Sequence, residues 1–180
     1  MTPGRRASYL PPKTGCATAM AEIENVPVEN PEHLNVIIGQ THFIKTAEDL
    51  YEAIANSVPQ ARFGVAFCEA SGPCLVRAEG NDAALKDLAA RNALKIGAGH
   101  SFVVFLKDAY PINVLRAIRD VPEIVTIFCA TSNPADVLVE DRLFDIEPGT
   151  RGAALAVIEE DGIGGSLNRG LLVFDVLEDD

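Results

Sequence analysis

The segment from residue 81 to residue 106 constrains the fold most. A stretch rich in Ala and Leu, residues 81–96, gives way through Gly97-Ala98-Gly99-His100 to the apolar run Phe102-Val103-Val104-Phe105-Leu106. In the first part Leu85, Leu88, Ala89 and Asn92 share one side at helical spacing, and Asn81-Asp82 can cap the helix they imply. The apolar run reads as a strand. The glycines between them remove side-chain bulk and permit positive φ. Backbone N–H groups there can approach a ligand while the strand steadies the His100 imidazole. Such an imidazole can act as a base, a metal ligand or a phosphate acceptor, and it can equally be a hydrogen-bonded structural histidine.

The same alternation extends along the chain. Residues 34–39 read as a buried strand. Thr46-Ala47-Glu48-Asp49 then opens a helix, with Thr46 as a candidate N-cap and Leu50, Ile54 and Val58 at helical spacing. Residues 62–69 and 75–78 read as strands joined by Gly72-Pro73 into an antiparallel hairpin. Pro111 starts a further helix that Pro122 ends, and residues 124–130, 136–140 and 153–158 supply more strands. The implied fold class is α/β, one compact domain over residues 21–180 in which a mixed sheet is flanked by helices as a three-layer α/β/α sandwich. Residues 1–20 carry Arg5, Arg6 and Lys13 but no acid and no apolar periodicity. That suits a disordered tail, a mis-assigned start upstream of Met20 or, less readily, a transit peptide.

Charge and cysteine usage narrow the function. Across 180 residues, 15 Lys and Arg stand against 26 Asp and Glu, and the resulting −11 argues against a sequence-independent grip on nucleic acid. A small anionic ligand stays open, because a few local N–H groups and one Arg can hold a phosphate. Cys16, Cys68, Cys74 and Cys129 show neither CxxC nor zinc-type spacing. Reduced thiols in a cytoplasmic setting are expected, with Cys68 and Cys129 as small buried side chains, and no metal site or cofactor is assigned. Every uninterrupted apolar stretch is too short to span a membrane. There is no GxxxxGK[ST], and Gly162-Ile163-Gly164-Gly165-Ser166 lacks the lysine and the strand-to-helix context of a P-loop. A GxSxG elbow is missing too.

Polar groups gather after the strands. Gln40-Thr41-His42, Glu69-Ala70-Ser71 and Thr131-Ser132-Asn133-Pro134 each follow one. Ligands of α/β sheets collect at such ends, so the three segments are expected to ring one pocket. Taken singly, each also has an ordinary turn reading: Glu69 as a solvated strand end, Asn133-Pro134 as a turn dipeptide, His42-Phe43 as a cap on the sheet.

Several strings resemble the adenosine-specific kinase family. They are Val36-Ile37-Ile38-Gly39-Gln40-Thr41-His42-Phe43-Ile44-Lys45-Thr46, Phe63-Gly64-Val65-Ala66-Phe67-Cys68-Glu69-Ala70-Ser71, Ile96-Gly97-Ala98-Gly99-His100, Tyr110-Pro111-Ile112-Asn113-Val114-Leu115 and Cys129-Ala130-Thr131-Ser132-Asn133-Pro134. The register holds from about Ile23 to Val139, and from Arg151 to Ile158 after an insertion at residues 142–150. Past Ile158 the chain departs from the family pattern: an acidic and glycine-rich segment and a short apolar run at residues 171–176 stand where the family has a charged helix.

The resemblance implies a three-layer fold that assembles as a homo-oligomer, binds adenosine and AMP in preference to ADP or ATP, and carries a phosphorylated histidine. The leading function is then phosphoryl transfer between a phosphohistidine and the adenosine 5′-hydroxyl, a kinase without a P-loop that draws on a separate phosphate donor. Residue chemistry makes His100 the candidate carrier and His42 the second. Glu69 would orient or deprotonate the hydroxyl, and Asn113 and Asn133 would hold ribose or the base edge. Lys45, Arg77 and Arg151 would meet phosphate, and Gly97 and Gly99 would let the backbone approach. His33, in the turn before the first core strand, is expected to be solvated. The alternative is a non-catalytic AMP or adenosine sensor, favoured by the lack of an ATP motif that could recharge His100. A structural oligomer with a vestigial pocket is a third reading.

Overall fold

The computed structural model describes residues 23–70, 74–140, 154–160 and 167–168. Its strands are β1 (Ile23–Pro27), β2 (Asn35–Thr41), β3 (Arg62–Cys68), β4 (Val76–Gly80), β5 (Ser101–Lys107), β6 (Ile124–Thr131), β7 (Ala135–Glu140), β8 (Ala154–Glu160) and β9 (Leu167–Asn168). The helices are α1 (Thr46–Ser57), α2 (Ala83–Ile96) and α3 (Pro111–Arg119). A five-stranded sheet runs in the order β4-β3-β5-β2-β6, and a four-stranded sheet in the order β1-β7-β8-β9. The tail expected over residues 1–20, the 142–150 insertion, Arg151, the 162–166 glycines, the 171–176 run and the Gly72-Pro73 turn lie outside the described residues.

Strand periodicity sorts the core into two layers. On one face Ile37, Phe63, Val65, Phe102, Val104 and Leu106 meet Leu50 and Ile54 of α1 and Val114 and Ile118 of α3. On the other, Val36, Ile38, Ala66, Val103 and Phe105 meet Leu85, Leu88, Ala89 and Ala93 of α2 together with Val26, Val137 and Val139 of the smaller sheet. The central strands are therefore apolar without interruption, as a sheet covered on both sides demands.

The α/β class and the helical cover are those expected from the sequence. The strand directions differ from the expected mixed sheet, because every pairing among the described strands is antiparallel. Each helix does link strands that run the same way, as a crossover requires. A third strand lies between them in every case: β5 between β2 and β3, β3 between β4 and β5, and β2 between β5 and β6. The β3–β4 hairpin is as expected.

Helix ends follow local chemistry. Asp82 caps α2, accepting from Ala84 N and Leu85 N, and Gly97 ends it at φ 61° in the left-handed region, its N–H bonded to Ala93 O. Thr46 is not the N-cap of α1 as its side-chain chemistry suggested; Lys45 holds that position without a side-chain bond. The Thr46 hydroxyl turns inward, donating to Phe43 O at 2.5 Å and meeting Thr41 Oγ1 at 2.7 Å. Among the described residues no helix is long and apolar enough to cross a membrane.

Candidate functional site

The strand register brings three polar segments to one end of the larger sheet. Gln40 faces Ser101, Thr41 faces Ile124, Phe67 faces Phe102 and Cys68 faces Val76. The ends of β2 and β3 therefore meet the beginnings of β4, β5 and β6. His42, Glu69 and His100 stand at that end.

The His100 loop is built into this junction from both sides. Its N–H donates to Cys68 O and its carbonyl accepts from Thr41 N, each at 2.8 Å. His100 itself adopts φ 65°, a left-handed conformation uncommon for a residue with a side chain. Gly99 serves the same junction: a Cβ there would fall 2.8 Å from that of Ala70 and 3.1 Å from its Cα. The space that the sequence reserved for a ligand at Gly99 is taken by Ala70, and Gly97 is used to end α2. The His100 imidazole is half-buried. Burial, and then the proximity of His42, hold its pKa below the usual histidine value, favouring the neutral ring.

Glu69 is buried at the end of β3 and paired with Arg77 of β4, Nε to Oε1 at 2.5 Å, with a longer 3.4 Å contact from Leu75 N to Oε2. His42 is exposed, and its N–H donates to Glu123 O at 3.2 Å. Lys45 pairs with Asp49 one turn into α1. Lys45 and Arg77 at this end of the sheet thus each have a carboxylate partner.

Asn133 and Asn113 do not join this cluster. Thr131 pairs with Val36 at the start of β2, and α3 follows the far end of β5, so both asparagines lie at the opposite end of the sheet. The length of β2, about 20 Å at strand rise, separates them from His42. Asn113 Oδ1 accepts from Tyr110 N at 2.9 Å to cap α3, and the main-chain Asn133 N donates to Thr131 Oγ1 at 3.0 Å. The segments after β2 and β3 therefore meet the His100 loop at one sheet end, and the Thr131–Pro134 segment expected beside them does not. The difference arises because β6 runs antiparallel to β2, which carries its end away. His33 is exposed in its turn, as expected. Cys68 is buried with its thiol directed to Ala93 O, and burial pushes its pKa up. Cys129, expected to be buried, is only half-covered on the edge strand β6.

The sequence reading missed Glu123, whose main-chain carbonyl holds the base of the His42 loop, accepting from His42 N and from Thr41 of the segment already singled out. Thr41 Oγ1 donates to Glu123 O at 2.9 Å. Nothing in its local pattern distinguishes Glu123. Among the described residues no group of three or more His, Cys, Asp or Glu is placed to hold a metal.

A family model described as adenosine specific kinase matches residues 26–158. The chain belongs to the adenosine-specific kinase family. All the groups gathered around His100 lie inside the matched span. Among solved structures, this adenosine-specific kinase family member is similar to the PH1918 protein from Pyrococcus horikoshii OT3, with 42% identity and a TM-score of 0.73, over 82% of this chain and 87% of that one. None of the curated proteins matches this adenosine-specific kinase relative.

Proposed function

We propose that the chain transfers a phosphoryl group between the His100 imidazole and the 5′-hydroxyl of adenosine, with AMP as product. The observation that carries this reading is the half-buried, neutral-favouring His100 at the sheet end it shares with His42, the Glu69–Arg77 pair and Lys45. A neutral imidazole has a lone pair on one ring nitrogen, which can bond phosphorus. In the transfer the N–P bond breaks as the ribose oxygen bonds to phosphorus, and the hydroxyl proton passes to a base, for which Glu69 and His42 are the candidates. The group in flight spreads charge over three equatorial oxygens, which calls for cationic N–H donors around it. Arg77 and Lys45 have that chemistry. Preference for adenosine and AMP over ATP, a cytoplasmic setting and assembly as a homo-oligomer belong to the same reading.

Incubation with adenosine and a panel of phosphate donors, read by intact-mass spectrometry, tests it. The unaltered chain should gain acid-labile phosphate, His100→Asn should gain none, and His42→Asn should still be labelled. Adenosine affinity of His100→Asn should fall by less than about tenfold, or 1.4 kcal/mol. Labelling that survives in His100→Asn and disappears in His42→Asn would reverse the assignment. A chain that binds AMP yet is never labelled would support the second reading, an AMP sensor without turnover, which the missing P-loop favours.

A further inference from the structure

The His100 end of the sheet carries His42, Lys45 and the Glu69–Arg77 pair for a phosphoryl group, whereas the two asparagines expected to hold the base lie at the opposite end. Phe43 stands next to His42 on the loop between β2 and α1. Phe63, Phe67, Phe102 and Phe105 are fully buried and Phe128 packs against the core, but 53% of Phe43 is exposed. A ring left in water forgoes its burial energy, and one such case alone is ordinary. Here there are more. Ile44 of the same loop is exposed, and so is Leu75, whose carbonyl accepts from Glu69 N at 3.0 Å at the same sheet end. Apolar groups exposed together and rimmed by polar ones mark ligand-binding surfaces.

The main chain around Phe43 is fixed. Its carbonyl accepts from Thr46 N at 3.2 Å and from Thr46 Oγ1 at 2.5 Å, and Thr46 Oγ1 meets that of Thr41 at 2.7 Å. Both threonines are fully buried. On the other flank His42 N donates to Glu123 O, and Thr41 N donates to His100 O at 2.8 Å, which ties the strand end to the histidine loop. The exposed ring is therefore carried by a pinned turn that begins two residues after a direct bond to His100. A side chain held in this way has little freedom left to lose when a ligand meets it.

We propose that Phe43 binds the adenine ring: its exposed face stacks on the purine while the phosphate end of the nucleotide meets His100. This rests on the reading that adenosine or AMP binds at this end of the sheet. Phenyl and purine both present π faces, and one stacked contact of this kind is commonly worth about tenfold or more in affinity. The contact recognises the plane of the base. It is indifferent to the sugar and the phosphate, so its loss is read through the base alone.

Phe43→Ala and Phe43→Trp in the full chain test this, each titrated with AMP and with ribose 5-phosphate, which lacks the base. The chain has no tryptophan, so the emission of Phe43→Trp reports on this position alone. Phe43→Ala should lose about tenfold in AMP affinity and keep its affinity for ribose 5-phosphate. Phe43→Trp should bind AMP at least as tightly as the unaltered chain, with its emission quenched by AMP and not by ribose 5-phosphate. Unchanged AMP affinity in Phe43→Ala, or emission that AMP leaves unaltered, would overturn the proposal and leave the functional reading standing. Equal losses for AMP and ribose 5-phosphate in Phe43→Ala would overturn it as well, because Phe43 would then support the loop or a contact between copies of the chain. If the unaltered chain binds neither adenosine nor AMP, the functional reading falls and the role of Phe43 falls with it.

Discussion

His100 holds a left-handed backbone, which costs a residue with a Cβ about 1 kcal/mol relative to glycine. The conformation persists because both main-chain groups of His100 are engaged, by Cys68 and by Thr41, and those bonds clamp the loop between two strand ends. His100→Gly and His100→Ala lose the same imidazole and differ in that backbone term. The glycine variant should be more stable by about 1 kcal/mol in urea denaturation. Equal midpoints would show that the loop relaxes and stores no strain. At this scale the sequence was partly legible. His100 and its glycines stood out as a motif, but the job of Gly99 did not, because Ala70 reaches it only through the register of β3 against β5. Glu123 was illegible for a similar reason, since its carbonyl is bonded by Thr41 Oγ1 and His42 N, both far away along the chain.

Elements whose signals are local were read well. Leu85, Leu88, Ala89 and Asn92 all proved buried on α2, and Asp82 proved its cap. That cap accepts two N–H groups at 3.0 Å, while its ion pair with the half-exposed Arg62 adds little. Asp82→Ala should therefore lower unfolding stability by about 1 kcal/mol, with Asp82→Asn retaining most of it. A loss in Asp82→Asn as large as in Asp82→Ala would shift the weight to the Arg62 charge. Where the elements depend on distant partners, local reading failed. Strand β1 has one buried residue, Val26, and is a strand because β7 pairs with it. Thr46 has the chemistry of a cap, yet the buried Thr41 hydroxyl claims it for the interior.

At the scale of the whole molecule, the alternation of strands and helices disclosed the class but not the weave. Crossover connections look the same in sequence whether the strands they join are neighbours or have another strand between them, and only the latter makes this sheet antiparallel throughout. In the larger sheet β2 pairs with β5 and β6 alone, both later in the chain. A fragment ending at Ile96 has every residue of β2, β3 and β4 yet lacks the strand that unites β2 with β3. It should be protease-sensitive under conditions where the full chain resists, and a resistant fragment would show that α1 and α2 suffice to hold the strands. The interleaving also bears on inheritance. A recombination event with its breakpoint between β2 and β5 would bring strands from two parents into direct contact at the centre of the sheet, so exchange among diverged relatives should leave this span whole far more often than chance.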